Sequence, residues 1–358
     1  MTHNPTPALR RRFVFGVAAV AVLGGLVAGC GSTSQDSSAD EAKGEIILTN
    51  CGVEERFPSP AERLYVTGDG NMLAMVLALG AQDQIAGVTG LDDPREALST
   101  AYGTQVVDAL PVASKDCPTM ENAIATTPDV VISGWDYGFR EESKFTPDAL
   151  RTHDIAPYVL SESCRQDDGA RGTMPPWQAL HTDLENLGEV TGRQERADEV
   201  VADLKARVQV LDEAPQAQEK PTVFLFDSGT KDIFTSGSFG GPQAIIDAAG
   251  AKNATGDVED TWTQVSWERL VSSEPDFFAF VDYSGQSYAD KVRILESNPA
   301  TKNLKAVKEQ RYLNLPIPAW TSSPLNVDAA EHLRMALEDH DLVPDTDIEP
   351  GHDLQPSR

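Results

Sequence analysis

Aromatic and basic side chains recur in the short polar segments that follow strand-like runs of this 358-residue sequence. In open α/β sheets, ligands bind beyond the carboxyl ends of the strands. Aromatic rings there provide flat apolar walls, and a few amides or guanidinium groups add hydrogen bonds and charge, so the chemistry indicated is capture of a bulky, flat or chelated molecule. An aromatic residue in a loop can instead pack beneath that loop. The candidate ligand-binding residues are Asn71, Trp135, Tyr137, Arg140, Arg165, Trp262, Tyr283 and Trp320.

Two similar segments indicate the elements that would position these loops. Residues 121–137 read ENAIATTPDVVISGWDY, and residues 268–283 read ERLVSSEPDFFAFVDY. In each segment a short helical pattern is stopped by Pro-Asp, and a continuous apolar run follows. Such a run is typical of a strand buried on both faces in a parallel sheet. We therefore expect an α/β fold with two Rossmann-like lobes, although chance similarity of two α/β units would give the same pattern.

The pattern also divides the chain. Residues 45–176 are expected to form an N-terminal α/β lobe, and residues 218–344 a C-terminal one. Between them, residues 177–212 are expected to form a helical connector, in which the pattern is broken at Gly188 and near Thr191-Gly192. Its second half carries apolar side chains three and four positions apart, which predicts a single long rigid helix between the lobes. Residues 345–358 are acidic and are predicted to form a frayed tail.

The N-terminus predicts export. Three arginines precede an apolar run that is short for a membrane span, and small residues lead to Cys30. The ending LVAGC resembles the lipobox of bacterial lipoproteins, in which this cysteine becomes the first mature residue and carries the lipid. Residues 1–29 are then a signal peptide, and the small polar residues 30–44 a flexible tether. A plain transmembrane anchor is the alternative, and export by the Sec or the twin-arginine route stays open.

Charge and motifs exclude several classes of function. The formal net charge is −27, and it is about −30 without residues 1–29, so the surface repels nucleic acid. Neither a GxSxG nucleophile motif nor a phosphate-cradling GxxxxGK[ST] loop is present. We therefore predict neither an enzyme nor a nucleic-acid-binding protein.

Three cysteines remain besides Cys30, and in an oxidising compartment they give one disulfide and one free thiol. Cys51 and Cys164 both follow probable strands, so we expect these two to pair and Cys117 to stay free. The sequence itself leaves the connectivity open. No CxxC or HxxH spacing indicates a metal site.

The order of several segments resembles the substrate-binding lipoproteins of bacterial ABC importers for iron-siderophores, haem or cobalamin. The matching segments include NCGVEERFPSPAERLYVTG, MLAMVLALGAQDQIAGV, PDVVIS, LGEVTGRQERADEVV and VSWERLVSSEPDFF, besides the lipobox. The resemblance covers nearly the whole mature chain. It implies two lobes joined by one helix with a ligand cleft between them, and a protein held by the Cys30 lipid at the extracytoplasmic face of the cell membrane.

The resemblance also implies partners. Glu121 and Glu268 match the positions at which this family presents a glutamate from each lobe to arginines of the permease dimer. Alternatively, each glutamate simply favours the first turn of its helix through the dipole. The expected protein is a monomer without an intrinsic cofactor, and its expected ligand is a ferric chelate whose negative charge Arg140 and Arg165 would neutralise. Cobalamin or haem as ligand, and a ligand sensor without transport, are the alternatives.

Overall fold

The computed structural model of the chain describes residues 44–356. The predicted signal peptide (residues 1–29), Cys30 and all but the last residue of the predicted tether lie outside the described residues. Within residues 44–356, no helix combines the length and apolar character that a membrane crossing requires.

A β-hairpin opens the described part of the chain. Strand β1 (Gly44–Asn50) pairs antiparallel with strand β2 (Val53–Ser59). The turn consists of Cys51 and Gly52, with φ angles of 50° and 77°. Two-residue hairpin turns require this left-handed backbone because it matches the twist of the strands.

The N-terminal lobe is built on a five-stranded parallel sheet of order β5-β4-β3-β6-β7. Its strands are β3 (Leu64–Val66), β4 (Ile85–Thr89), β5 (Val112–Ser114), β6 (Val130–Ser133) and β7 (Ala156–Val159). Its helices are α1 (Asn71–Ala78), α2 (Arg95–Tyr102), α3 (Thr104–Asp108), α4 (Met120–Ala125) and α5 (Pro147–Arg151).

The connector consists of two helices, which meet at the break predicted near Thr191-Gly192. Helix α6 (Pro176–Thr191) ends at Gly192, whose φ of 68° makes it a left-handed C-cap, and α7 (Gln194–Glu213) begins two residues later. Glycine adopts this conformation at little cost and so ends the first helix. Helix α7 passes from one lobe to the other, because Leu204 lies in the core of the N-terminal lobe and Leu211 in that of the C-terminal lobe.

The C-terminal lobe is built on a four-stranded parallel sheet of order β10-β8-β12-β13, beside a two-stranded antiparallel sheet of β9 and β11. Its strands are β8 (Thr222–Phe226), β9 (Ile233–Ser236), β10 (Lys252–Asn253), β11 (Trp262–Val265), β12 (Phe277–Asp282) and β13 (Tyr312–Pro316). Its helices are α8 (Gly241–Ala248), α9 (Trp267–Ser272), α10 (Tyr288–Ser297), α11 (Lys305–Lys308), α12 (Ile317–Trp320) and α13 (Asn326–Glu338). The predicted two-lobed α/β fold is confirmed.

The aspartate of the repeated Pro-Asp turn accepts backbone hydrogen bonds in the same way in both lobes. Asp129 accepts hydrogen bonds from the backbone N–H groups of Glu62 (2.7 Å) and Arg63 (3.0 Å), just before β3. Asp276 accepts one from the N–H of Thr222 (2.9 Å), the first residue of β8. Each aspartate therefore ties its own strand to the neighbouring strand of the sheet.

The C-terminal segment is packed, contrary to the predicted frayed tail. The backbone N–H of His352 donates to Asp328 Oδ1 (2.8 Å), and that of Leu354 lies 3.1 Å from His332 Nε2. The Leu354 side chain is only 3% exposed and joins the core of the C-terminal lobe. One buried leucine and a set of backbone hydrogen bonds thus order a segment whose acidic composition indicated the opposite.

A disulfide joins the hairpin turn to the N-terminal lobe. Cys51 is bonded to Cys164, which confirms the predicted pairing, and Cys117 is free and exposed. The bond links positions 113 residues apart, so it removes a large loop from the conformations open to the unfolded chain.

We expect the Cys51→Ser/Cys164→Ser double variant to lose about 2–5 kcal/mol of unfolding free energy, because its unfolded chain regains that freedom. Urea denaturation of the soluble body, residues 44–358, would measure the loss. Cys117→Ser is the matched control and should leave the midpoint unchanged. Equal stability of all three proteins would contradict this account.

Candidate ligand-binding cleft

A cavity of about 480 Å³ lies between the two lobes. The N-terminal lobe contributes loops that follow its strands, and the C-terminal lobe contributes the segments after β8 and β12 together with β9 and β11. This is the place at which the sequence predicted a ligand. The residues that line the cavity are Asp69, Gly90, Asp93, Pro94, Asp136, Tyr137, Arg140, Arg171, Asp227, Ser228, Phe234, Trp262, Tyr283, Ile317 and Thr321.

Four of the eight candidate ligand-binding residues meet at this cavity. Tyr137 and Arg140 line it from the N-terminal lobe, and Trp262 and Tyr283 line it from the C-terminal lobe. The Trp262 ring stacks on Phe234, with centroids 5.9 Å apart and planes inclined by 25°. The cavity therefore has an aromatic wall to which both lobes contribute.

The other four candidates lie elsewhere. Asn71 and Trp320 are fully buried, and the indole Nε1 of Trp320 donates to the carbonyl of Phe280 (3.1 Å). Arg165 lies over the Trp135 ring, with its guanidinium carbon 3.4 Å from the ring centroid, beside the disulfide and away from the cavity. A position after a strand predicts a loop residue, but it does not fix the direction of the side chain.

Sequence reasoning missed the acidic residues of the cavity. Asp69 lies in the GDGN segment after β3, and Asp227 follows β8 directly, so the rule used for the aromatic residues could have found both. Burial, together with the nearby Asp227 carboxylate, raises the pKa of Asp69 to about 6 against the opposing effect of Arg140. The pKa of Asp227 is also raised by burial, although Tyr283 donates its hydroxyl to Asp227 Oδ1 (2.9 Å).

A buried lysine supports the Tyr283 wall from behind. Lys291 Nζ lies 4.5 Å from the centroid of the Tyr283 ring and donates to the carbonyl of Val281. Burial lowers the pKa of Lys291 to about 8, against the opposing effect of Asp227 and Asp282. This cation–π contact and the hydrogen bond to Asp227 fix the Tyr283 ring in the cleft wall.

Glu162 links the lobes beneath the cavity. Carried by the N-terminal lobe, it accepts hydrogen bonds from the backbone N–H of Gly241 (3.1 Å), at the start of α8, and of Ser322 (2.9 Å). Burial raises its pKa to about 6, although the two N–H groups, Tyr137 and Trp262 all lower it. The helix dipole of α8 favours the negative charge.

The short turn that carries Glu162 is itself anchored. Asp183 of α6 accepts hydrogen bonds from the hydroxyls of Ser161 and Tyr158, both at 2.7 Å. Asp183 is completely buried, and this burial raises its pKa to about 7. The turn is thereby fixed to the first connecting helix, and Glu162 with it.

Arg171 forms a second link between the lobes. Its Nη1 lies 2.7 Å from Asp136 Oδ2 in the N-terminal lobe, and its Nε lies 3.4 Å from Asp260 Oδ1 in the C-terminal lobe. Its other guanidinium nitrogen donates to the carbonyl of Trp262. No sequence motif signals this residue, since its role depends on partners that are far apart in the chain.

The fold and the interlobe cavity agree with a comparison of sequences. Residues 66–317, most of the chain, match the family described as periplasmic binding protein. The chain belongs to the periplasmic binding protein family. It is thus a solute-binding component of an ABC transporter, as the resemblance implied.

Relatives of this solute-binding protein are distant in sequence. The uncharacterized ABC transporter substrate-binding lipoprotein YvrC of Bacillus subtilis (strain 168) is 22% identical over 330 residues, which is 90% of this chain and 94% of YvrC. The solved structure of an ABC-type Fe3+-hydroxamate transport system from Saccharomonospora viridis DSM 43017 has a TM-score of 0.69 at 22% identity and covers 82% of this chain and 98% of its own. A periplasmic heme binding protein from Pseudomonas aeruginosa has a TM-score of 0.60 at 20% identity, with coverages of 83% and 100%. The TM-scores show a shared fold, and at identities this low the likeness to the solved structures shows the fold alone.

The two glutamates proposed for docking occupy equivalent places in this solute-binding protein. Glu121 is the second residue of α4 and Glu268 the second residue of α9, and both are exposed. The side chains of Thr119 and Ser266 cap the two helices. The Glu268 backbone N–H and the Ser266 hydroxyl hold the pKa of Glu268 below its usual range.

We expect Glu162→Ala to destabilise the protein by about 2–5 kcal/mol, because the N–H groups of Gly241 and Ser322 would lose their acceptor in a buried place. Urea denaturation would measure this change. Glu141→Ala is the matched control: it removes an exposed partner of Arg165, so it should cost less than about 1 kcal/mol. Similar midpoints for the two variants would show that Glu162 does not link the lobes energetically.

Proposed function

We propose that this protein captures a bulky nutrient, an Fe(III)-siderophore, and delivers it to the permease dimer of an ABC importer. The observation that carries the proposal is the cavity between the lobes with its aromatic wall. Its volume of about 480 Å³ falls within the range of roughly 300–1,000 Å³ that small-molecule sites occupy. A ferric chelate presents apolar faces and a polar rim to such a site, which suits the rings of Tyr137, Trp262 and Tyr283.

The proposed location is the extracytoplasmic face of the cell membrane, with a lipid on Cys30 as the anchor. The lipobox-like sequence before Cys30 supports this, and the relative YvrC is named a lipoprotein. The proposed docking sites are Glu121 and Glu268. Two exposed carboxylates at equivalent places on similar lobes suit a two-fold symmetric receptor with basic residues.

Ligand binding should quench tryptophan fluorescence of the soluble body, residues 44–358. The panel is a set of ferric siderophores, cobalamin and haem, which separates the proposed ligand from its alternatives. We expect saturable quenching at submicromolar concentration by a ferric siderophore, because Trp262 lines the cavity. Preference for cobalamin or haem would replace the siderophore assignment.

Two tryptophan variants test which tryptophan is quenched by the ligand. Trp262→Phe should remove most of the quenching, whereas Trp267→Phe should retain it, because Trp267 lies on α9 outside the cavity lining and bonds the carbonyl of Thr230. Quenching that persists in Trp262→Phe and is lost in Trp267→Phe would place the ligand outside the cleft.

Docking is tested by uptake in cells that depend on this protein. We expect Glu121→Ala/Glu268→Ala to reduce uptake of the bound ligand by at least about tenfold with unchanged affinity, because the receptor loses two charged contacts. Glu195→Ala is the matched control, since Glu195 is also exposed at the second position of its helix, α7. Unchanged uptake in the double variant would overturn the docking assignment and favour a sensor without transport.

A further inference from the structure

The charge of the cleft wall narrows the class of ligand. Four aspartates line the cavity, Asp69, Asp93, Asp136 and Asp227, against two arginines, Arg140 and Arg171. The wall therefore carries an excess of negative charge when these groups are ionised. The whole chain is also strongly acidic, which raises the local concentration of cations near the cleft.

One arginine is not available to a ligand. Arg171 is already paired with Asp136 and Asp260, and it bonds the carbonyl of Trp262 as well. These contacts span both lobes, so they serve to hold the lobes together. Arg140 is then the remaining cation of the wall, near the carboxylate of Asp69.

Asp69 and Asp227 form a carboxylate pair without an ion-pair partner among the described residues. They follow β3 and β8, strands inside the two sheets, so each lobe supplies one carboxylate to the same cavity. Arg140 lowers the pKa of Asp69 and Lys291 that of Asp227, but neither cation forms an ion pair with its carboxylate, and the Asp227 carboxylate raises the pKa of Asp69. Buried like charges without a partner are unfavourable, and a bound cation would relieve that cost.

The helix terminus next to the cleft is closed to anions. The start of α8 would attract a negative group through its N–H groups and dipole. Glu162 already occupies it, with its carboxylate oxygens on Gly241 and Ser322. An anionic ligand would therefore meet the aspartates without gaining this favourable site.

We propose that the cleft selects a ligand with a positively charged group, which lies between Asp69 and Asp227. This inference rests on the proposed function: among ferric chelates it selects cationic complexes of the hydroxamate type and disfavours anionic catecholate or carboxylate complexes. It replaces the expectation that Arg140 and Arg165 neutralise an anionic chelate, since Arg165 lies on Trp135 outside the cavity.

The test varies the charge on one chelate. Ferric desferrioxamine B carries a free ammonium group and a net charge of about +1, its N-acetyl derivative is neutral, and its N-succinyl derivative is an anion. Fluorescence titration at pH 8 and low salt should show affinity falling at least about tenfold from the cation to the neutral complex, and again to the anion, as expected for a charge a few ångströms from two carboxylates. High salt should reduce the difference.

Variants assign the preference to the pair. Asp69→Asn and Asp227→Asn should each shrink the ratio of cation to neutral affinity, and the ratio is the readout because both residues line the cavity. Asp198→Asn, at an exposed position on α7, is the matched control and should keep the ratio. Equal or tighter binding of the neutral or anionic complex by the unmodified protein would overturn the inference and leave the siderophore function standing.

A measurement on the ligand-free protein tests the charge preference of the cleft separately from the siderophore function. At pH 8, Asp69→Asn should raise the Tm of the empty protein by a few degrees, because one of two buried like charges is gone, whereas Asp198→Asn should not. An unchanged or lower Tm would overturn the inference whatever binds. If no ferric complex of any charge binds while Asp69→Asn is stabilising, the siderophore function fails alone. Aquacobalamin, which is cationic at pH 7, and neutral cyanocobalamin then test the charge preference at pH 7 with the other class of ligand.

Discussion

The hydrogen bonds of one buried carboxylate set the geometry on which the cleft depends. Glu162 belongs to the N-terminal lobe. It accepts hydrogen bonds from the backbone N–H groups of Gly241 and Ser322, which belong to the C-terminal lobe. A buried charge is costly unless it is hydrogen-bonded, so the turn carrying Glu162 must meet the start of α8. Tyr137 and Trp262 approach the same carboxylate and line the cavity above it. The contact that joins the lobes therefore also positions the aromatic wall.

The charged groups near the cavity divide into two kinds. Glu162 and Arg171 are satisfied by partners from the opposite lobe, so their charges stabilise one arrangement of the lobes. Asp69 and Asp227 lack such a partner among the described residues, and burial makes their ionised forms costly. Proteins retain unfavourable groups of this kind at functional sites, where the ligand supplies what the fold does not. The same principle explains why the interlobe contacts and the ligand-facing groups are different residues.

Sequence reasoning succeeded where the determinants are local. The Pro-Asp turns and the buried strands after them follow from residues that act on their immediate surroundings, and both are present. Sequence reasoning failed where the structure depends on the direction of a side chain or on partners that are distant in the chain. Trp320 follows a strand as predicted but points into the core, and Leu354 orders a tail through contacts with α13 that composition does not reveal. The helix break at Gly192, by contrast, was predicted, because a glycine that ends a helix is a local signal.

The two copies of the repeat have equivalent structures on the outside of the lobes, but they differ where they reach the cleft. Glu121 and Glu268 share helix position, exposure and capping, as a symmetric partner would require. Fifteen residues after these glutamates the equivalence ends, because Asp136 and Tyr283 hold matching places and yet differ in chemistry. Asp136 pairs with Arg171 of its own lobe, whereas Tyr283 presents its ring to the cavity and its hydroxyl to Asp227. A small ligand has no reason to match the two-fold symmetry of the lobes, so divergence is concentrated where the ligand would lie.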